Sequence, residues 1–170
     1  MATKQTLILL LLSVVCGLGL NLLSPRSIDF IGAYRELSTG DGPVVPPAAQ
    51  AGDPPFIDIN VAQMEYVAGR PLFIDCRDSE EFMCGTIPGS INIPFEYLPD
   101  DLDAYYDSVF QDISKDTPMI LFCSGEECDL SLHLGRNLQD YDFTSISIFF
   151  GGSREWEKFG LKMERRKVCD

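Results

Sequence analysis

The sequence predicts an α/β domain on a parallel sheet, preceded by one N-terminal apolar helix. Two observations predict the domain. From Phe56 onward, short strand-like runs alternate with helical patterns, as a parallel sheet covered on both faces requires. The runs themselves, such as Met119-Ile120-Leu121-Phe122, are continuously apolar, so neither side of them faces water. A third observation predicts the helix: Leu7 to Leu23 is apolar apart from Ser13, Asn21 and two glycines.

That run is 17 residues long, with Lys4 before it and Ser24-Pro25-Arg26 after it. It lies at the short edge of a membrane span, and no small-x-small cleavage site follows it. We read residues 1–23 as an uncleaved transmembrane anchor in preference to a cleaved signal peptide. Positive charge at its start keeps the amino terminus in the cytoplasm. The expected location is therefore a bacterial inner membrane, single-pass, with the domain in the periplasm. Residues 24–54 carry breakers such as Thr39-Gly40-Asp41-Gly42-Pro43 and read as a linker. The folded domain is expected over 55–166.

Inside it we expect a strand over 56–59, a helix over 61–67, and a buried strand over 72–76. A short helix over 79–83 precedes the turn Gly85-Thr86-Ile87-Pro88-Gly89 and a strand over 90–93. A helix over 99–110 carries acids in its first turn, where the helix dipole favours them. A strand over 119–123, a helix over 130–138, a strand over 146–150 and a helix over 154–159 complete the alternation. The 170 residues include 26 acids and 13 bases, a net charge of −13, which leaves no basic patch for nucleic acid. The single histidine, His133, rules out a histidine-rich metal site, and the chain calls for neither metal nor cofactor.

Cys123 stands out chemically. It ends an apolar strand and opens Ser124-Gly125-Glu126-Glu127-Cys128-Asp129, a polar loop that enters the helix from Leu130. Carboxyl ends of strands are where open α/β sheets bind ligands. Loop amides and a helix start would lower a thiol pKa there and stabilise a thiolate. The alternative is a buried structural cysteine.

Four segments then resemble the rhodanese-like family when taken in series. They are Phe73-Ile74-Asp75-Cys76-Arg77-Asp78-Ser79-Glu80-Glu81-Phe82, Gly85-Thr86-Ile87-Pro88-Gly89-Ser90-Ile91-Asn92-Ile93-Pro94, Ile120-Leu121-Phe122-Cys123 and Phe149-Phe150-Gly151-Gly152-Ser153-Arg154-Glu155-Trp156. The resemblance implies a three-layer fold with a central five-stranded parallel sheet, and a loop cysteine that carries sulfur as a persulfide. The anchor and the acidic loop resemble a membrane-tethered bacterial subgroup. By the same resemblance Cys123 is the catalytic residue, its substrate-binding loop running through Ser124, Gly125, Glu126, Glu127, Asp129 and Leu130. Asp75 and Arg77 support it as a clamp, Arg77 pairing with an acid such as Asp78 or Glu81, while Gly151 and Gly152 allow close backbone approach.

The chain departs from the family in three ways, two of them in this loop. Cys128 stands where members place an arginine or other donor five residues past the cysteine. The loop is about two residues longer than the sulfurtransferase norm, and Thr86 replaces the usual histidine. The phosphatase branch of the fold needs a loop-closing arginine that this chain lacks. Glu126, Glu127 and Asp129 would also weaken a small anionic donor such as thiosulfate if they face the sulfur. A cupped loop brings Cys123 and Cys128 close enough for a disulfide or for resolving a persulfide. Outside the anchor lie Cys76, Cys84, Cys123, Cys128 and Cys169, an odd number, with Cys123 the natural unpaired one if it is the nucleophile.

The sequence thus points to sulfur transfer from a sulfane donor through Cys123 to a thiol acceptor, which could be a membrane or periplasmic protein. Its competitors are a non-catalytic binding module and a Cys123/Cys128 thiol-disulfide redox protein.

Overall fold

A computed structural model describes residues 2–23, 42–125 and 128–169. The chain forms two compact units, Met1–Arg35 and Glu36–Asp170. In the first, α1 (Ala2–Leu23) is long and apolar enough to cross a membrane, with a mean hydropathy of 1.6 over Lys4–Asn21. None of that window is buried within the protein, and a signal sequence would have the same character.

The second unit is a parallel sheet with helices on both faces. Its strands are β1 (Leu72–Asp75), β2 (Ile91–Asn92), β3 (Met119–Phe122) and β4 (Ile146–Phe149), in the order β2-β1-β3-β4. In register, Asp75 lies opposite Phe122, and Phe122 opposite Phe149, so the carboxyl ends of the three long strands finish level. The helices are α2 (Ile59–Ala68), α3 (Ser79–Cys84), α4 (Leu102–Val109), α5 (Leu130–Asp140) and α6 (Gly152–Lys158).

Among the described residues four strands form the sheet, where the family resemblance implied five. The expected strand over 56–59 contributes one bridge, Phe56 to Ile148, flanked by Ile57 N to Ile148 O and Ile148 N to Pro55 O. Asp58 explains why it stops. Its carboxylate accepts the amides of Asn60 and Val61, at 2.8 and 2.9 Å, and so caps α2. The chain is turning into a helix before a second rung can form.

Two main cores, beside a smaller cluster of Leu132, Ile148 and Phe150, follow from the alternation of side chains along each strand. Phe73, Ile120, Phe122 and Phe149 pack with Ile59 and Ala62 of α2 and Trp156 of α6. Ile74, Met119, Leu121 and Ile146 pack on the other face with Tyr106 of α4 and Leu134 and Leu138 of α5. All four residues of β3 are buried, which accounts for its unbroken apolar run. Trp156 is 1 % exposed and anchors its face, where truncation to alanine should cost about 3–5 kcal/mol. Residues 48–53, within the stretch expected to be a linker, are tied to α5 through Arg136. Its guanidinium donates to both Asp53 carboxylate oxygens and to Ala48 O.

Candidate active site

Cys123 follows β3 directly, is 1 % exposed, and starts the loop that leads into α5. The base of this loop is fixed by main-chain bonds from α6. Ser153 N donates to Cys123 O at 2.9 Å, and Arg154 N donates to Ser124 O at 3.1 Å. Gly152 makes this approach possible. Its φ is +63°, and a Cβ there would overlap the Cys123 carbonyl oxygen and lie 2.9 Å from Gly125 N. Gly151 does something different: the buried side chain of Glu155 folds into the space its Cβ would need. Glu155 is a site residue that sequence reading passed over, since nothing in Arg154-Glu155-Trp156 shows that the acid turns inward.

Further along the loop, Cys128 N donates to Gly125 O at 2.9 Å. Cys123 and Cys128 are joined in a disulfide, their Cα atoms 6.1 Å apart. Asp129 is the N-cap residue of α5 without a side-chain cap bond, and Leu130 opens the helix against the core shared with α4. Glu126 and Glu127 lie outside the described residues. In the first turn of α5, the buried Ser131 Oγ has no hydrogen-bond partner among the described residues.

Asp75 and Arg77 form a closed clamp one strand over. The fully buried Asp75 carboxylate accepts Arg77 N at 3.1 Å, Arg77 Nε at 2.9 Å, Arg77 Nη2 at 2.6 Å and Thr86 Oγ1 at 2.8 Å. Arg77 also donates to Gly85 O at 2.6 Å. Its principal partner is therefore Asp75, neither Asp78 nor Glu81. Glu81 stands 3.8 Å away and half-exposed, so it adds little. The bidentate fork to a buried carboxylate wins because both groups are out of water.

The remaining cysteines correct one expectation. Cys84 pairs with Cys169, so the unpaired thiol of the domain is Cys76 and not Cys123. Cys76 is fully buried; burial, then the adjacent Asp75 charge, pushes its thiol pKa up, which suits a core residue and not a nucleophile. His133 is exposed and stacks on Phe95, with ring centroids 5.7 Å apart. Among the described residues no cluster of histidine, cysteine and acids could hold a metal ion.

A cleft of about 350 Å³ opens beside the loop, between Arg77, Ser124, Ser153, Arg154 and the Cys84–Cys169 disulfide. A second, of about 280 Å³, lies at the opposite ends of the strands, near Pro71, Met119 and Ser145. Only the first meets Cys123's neighbours at the carboxyl ends, where the topology puts ligands.

The profile of the rhodanese-like domain matches residues 56–159, more than half of the chain. The chain belongs to the rhodanese-like family. Sulfurtransferases are among the relatives of this rhodanese-like domain. The human thiosulfate:glutathione sulfurtransferase is 29% identical over 110 residues, which cover 60% of this chain and 92% of that protein. The HTH-type transcriptional regulator Rv0324 of Mycobacterium tuberculosis is 29% identical over 97 residues, 57% of this chain. The match spans 39% of that regulator, about two fifths of its length. The structure of the human single-domain sulfurtransferase TSTD1 has the same fold, with a TM-score of 0.50 and 21% identity over 61% of this chain and 96% of that one.

Proposed function

We propose that this rhodanese-like protein is a membrane-anchored sulfurtransferase of the periplasmic face, with Cys123 as its sulfur carrier. The observation that carries the reading is the place of Cys123: the end of the central strand, on a loop whose base is gripped by α6. The relatives' sulfurtransferase activity supports it. The Cys123 thiolate attacks a sulfane sulfur, the donor's S–S bond breaks, and the donor remainder leaves with the electron pair. The persulfide on Cys123 is then attacked at its outer sulfur by an acceptor thiolate, and Cys123 leaves as a thiolate. No net oxidation occurs.

Amides of Ser124 and Gly125 and the start of α5 favour negative charge on that sulfur. Ser131 has a hydroxyl to offer in the same turn. The anchor reading rests on α1 and its flanking Lys4.

The Cys123–Cys128 disulfide favours a second reading, thiol-disulfide exchange. A thiol reductant must open this bond before Cys123 can accept sulfur. Conversely, Cys128 thiolate attacking the inner sulfur of the Cys123 persulfide re-forms the disulfide and expels hydrosulfide. One experiment separates the readings. The reduced protein is treated with a sulfane donor, and intact mass is read before and after a thiol acceptor is added. Sulfur transfer predicts a gain of one sulfur atom, absent in Cys123→Ser and passed on to the acceptor by Cys128→Ser. A protein that only cycles between dithiol and disulfide refutes it.

A further inference from the structure

Arg154 differs from every other described arginine. Arg70, Arg77, Arg136, Arg165 and Arg166 each have a carboxylate partner, Glu65, Asp75, Asp53, Glu157 and Glu164 respectively. Arg154 has none among the described residues, although the chain carries 26 acids against 13 bases. Its position is fixed. Its amide holds Ser124 O, and its Cβ and Cδ lie 3.9 and 3.8 Å from where a Cβ on Gly125 would stand. The side chain therefore runs along the sulfur loop and lines the cleft that ends at Ser124.

The other cations of the cleft are already paired, and Glu81 stands loosely 3.8 Å from Arg77. Arg77 is locked to Asp75, Arg165 is paired with Glu157, and Glu80 takes the Lys167 ammonium at 2.8 Å. Among the described residues Arg154 is thus the open cation beside the proposed sulfur carrier, on a protein whose net charge of −13 repels anions. A cation placed so gives local attraction where long-range attraction is lacking. The cleft volume, about 350 Å³, falls in the range of small-molecule sites and exceeds what a single tetrahedral anion fills.

We propose that Arg154 is the specificity residue for the acceptor, and that this acceptor is a small thiol bearing a carboxylate. The carboxylate pairs with the Arg154 guanidinium while the thiol reaches the sulfur on Cys123. The inference rests on the sulfur-transfer reading above and deepens it. It concerns binding alone and adds no chemical step.

The test compares mercaptopropionate with the neutral mercaptoethanol as acceptors for persulfide-loaded protein. Arg154→Gln should raise KM for mercaptopropionate about fivefold, the size of one exposed charge pair, with kcat unchanged. For mercaptoethanol both constants should match those of the unaltered protein. Arg154→Lys should recover part of the loss, and raised salt should shrink the difference. Lys158→Gln removes the same charge one turn further along α6 and should leave the preference intact.

Equal losses with both thiols, or a defect confined to loading by the donor, overturn the proposal. If the unaltered protein never loads sulfur, the sulfur-transfer reading fails, and the anion contact is read separately. Reduction of the Cys123–Cys128 disulfide by the two thiols should then show the same Arg154-dependent preference. Its absence there refutes the role of Arg154 independently.

Discussion

The two disulfides of the domain share a bond type and differ in what they hold. Cys84–Cys169 joins residues 85 apart, whereas Cys123–Cys128 joins residues 5 apart. By loop-closure entropy the long crosslink contributes about 4–5 kcal/mol and the short one about 2 kcal/mol. The long one fastens a tail already laid down by Thr86–Glu164 pairing and by the amides of Arg166 and Lys167 on Met83 O. The short one sits on a loop whose base α6 already fixes, and it occupies the sulfur that the proposed transfer needs. Under the proposed function, position more than bond strength makes one a scaffold and the other a reagent.

Removing the long crosslink should have the largest effect on stability. Cys84→Ser with Cys169→Ser should lower unfolding free energy by about 4 kcal/mol in denaturant titration, while Cys123 still loads sulfur. If loading is lost while the fold is retained, the division between scaffold and reagent fails.

Gly152→Ala strikes the support of the loop. A left-handed φ on alanine costs about 1–2 kcal/mol, and overlap with the Cys123 carbonyl adds to that. Thermal unfolding should register a loss of about 2–3 kcal/mol, and turnover should fall further than stability alone explains.

Cys128→Ser sharpens the contrast from the other side. It should cost at most about 2 kcal/mol under oxidising conditions, yet make Cys123 available to alkylation without reductant. In the unaltered protein, alkylation after full reduction should label Cys16, Cys84, Cys123, Cys128 and Cys169 and spare the buried Cys76 until the fold is unravelled, as mass mapping would show.

The smallest effect belongs to a non-covalent counterpart of the long crosslink. Asp53 and Arg136 are 83 residues apart, held by Nε and Nη2 bonds of 2.7 and 2.9 Å. Hydrogen bonding from Arg136 lowers the Asp53 pKa. A lowered native pKa means stabilisation that is complete above the unfolded carboxyl value, about 4, and is lost as pH falls through the native one. Asp53→Asn should therefore lower stability at neutral pH and lose its effect in acid, whereas the effect of cutting Cys84–Cys169 should persist there.

Much of this was legible from local pattern. The buried run of β3, the turn residues after it and the four-residue spacing of Leu130, Leu134 and Leu138 place Cys123 without any knowledge of contacts. Asp58 was harder to read: apolar neighbours suggest a strand, and only its capping bonds reveal the helix start that leaves a bridge in place of a fifth strand. Cysteine parity leaves one thiol free or paired between molecules but cannot show which, because the Cys84–Cys169 pairing depends on where the tail returns. Arg77 lies two residues from its partner, yet nearby Asp78 and Glu81 offer equal charge. Burial of Asp75 decides between them.

Cys123 and Ser124 are both held through carbonyl oxygens, and the groups that hold them are amides. In that joint only the glycines, Gly152 against the Cys123 carbonyl and Gly151 against Glu155, have their identity dictated by contact. The socket is consequently indifferent to what is plugged into it. The stretch between Gly125 and Leu130 can lengthen, gain charge or acquire a second sulfur while the first stays where it is. The loop is in that sense a replaceable part, open to exchange by grafting one short segment, while the acceptor contact proposed for Arg154 stays behind on α6.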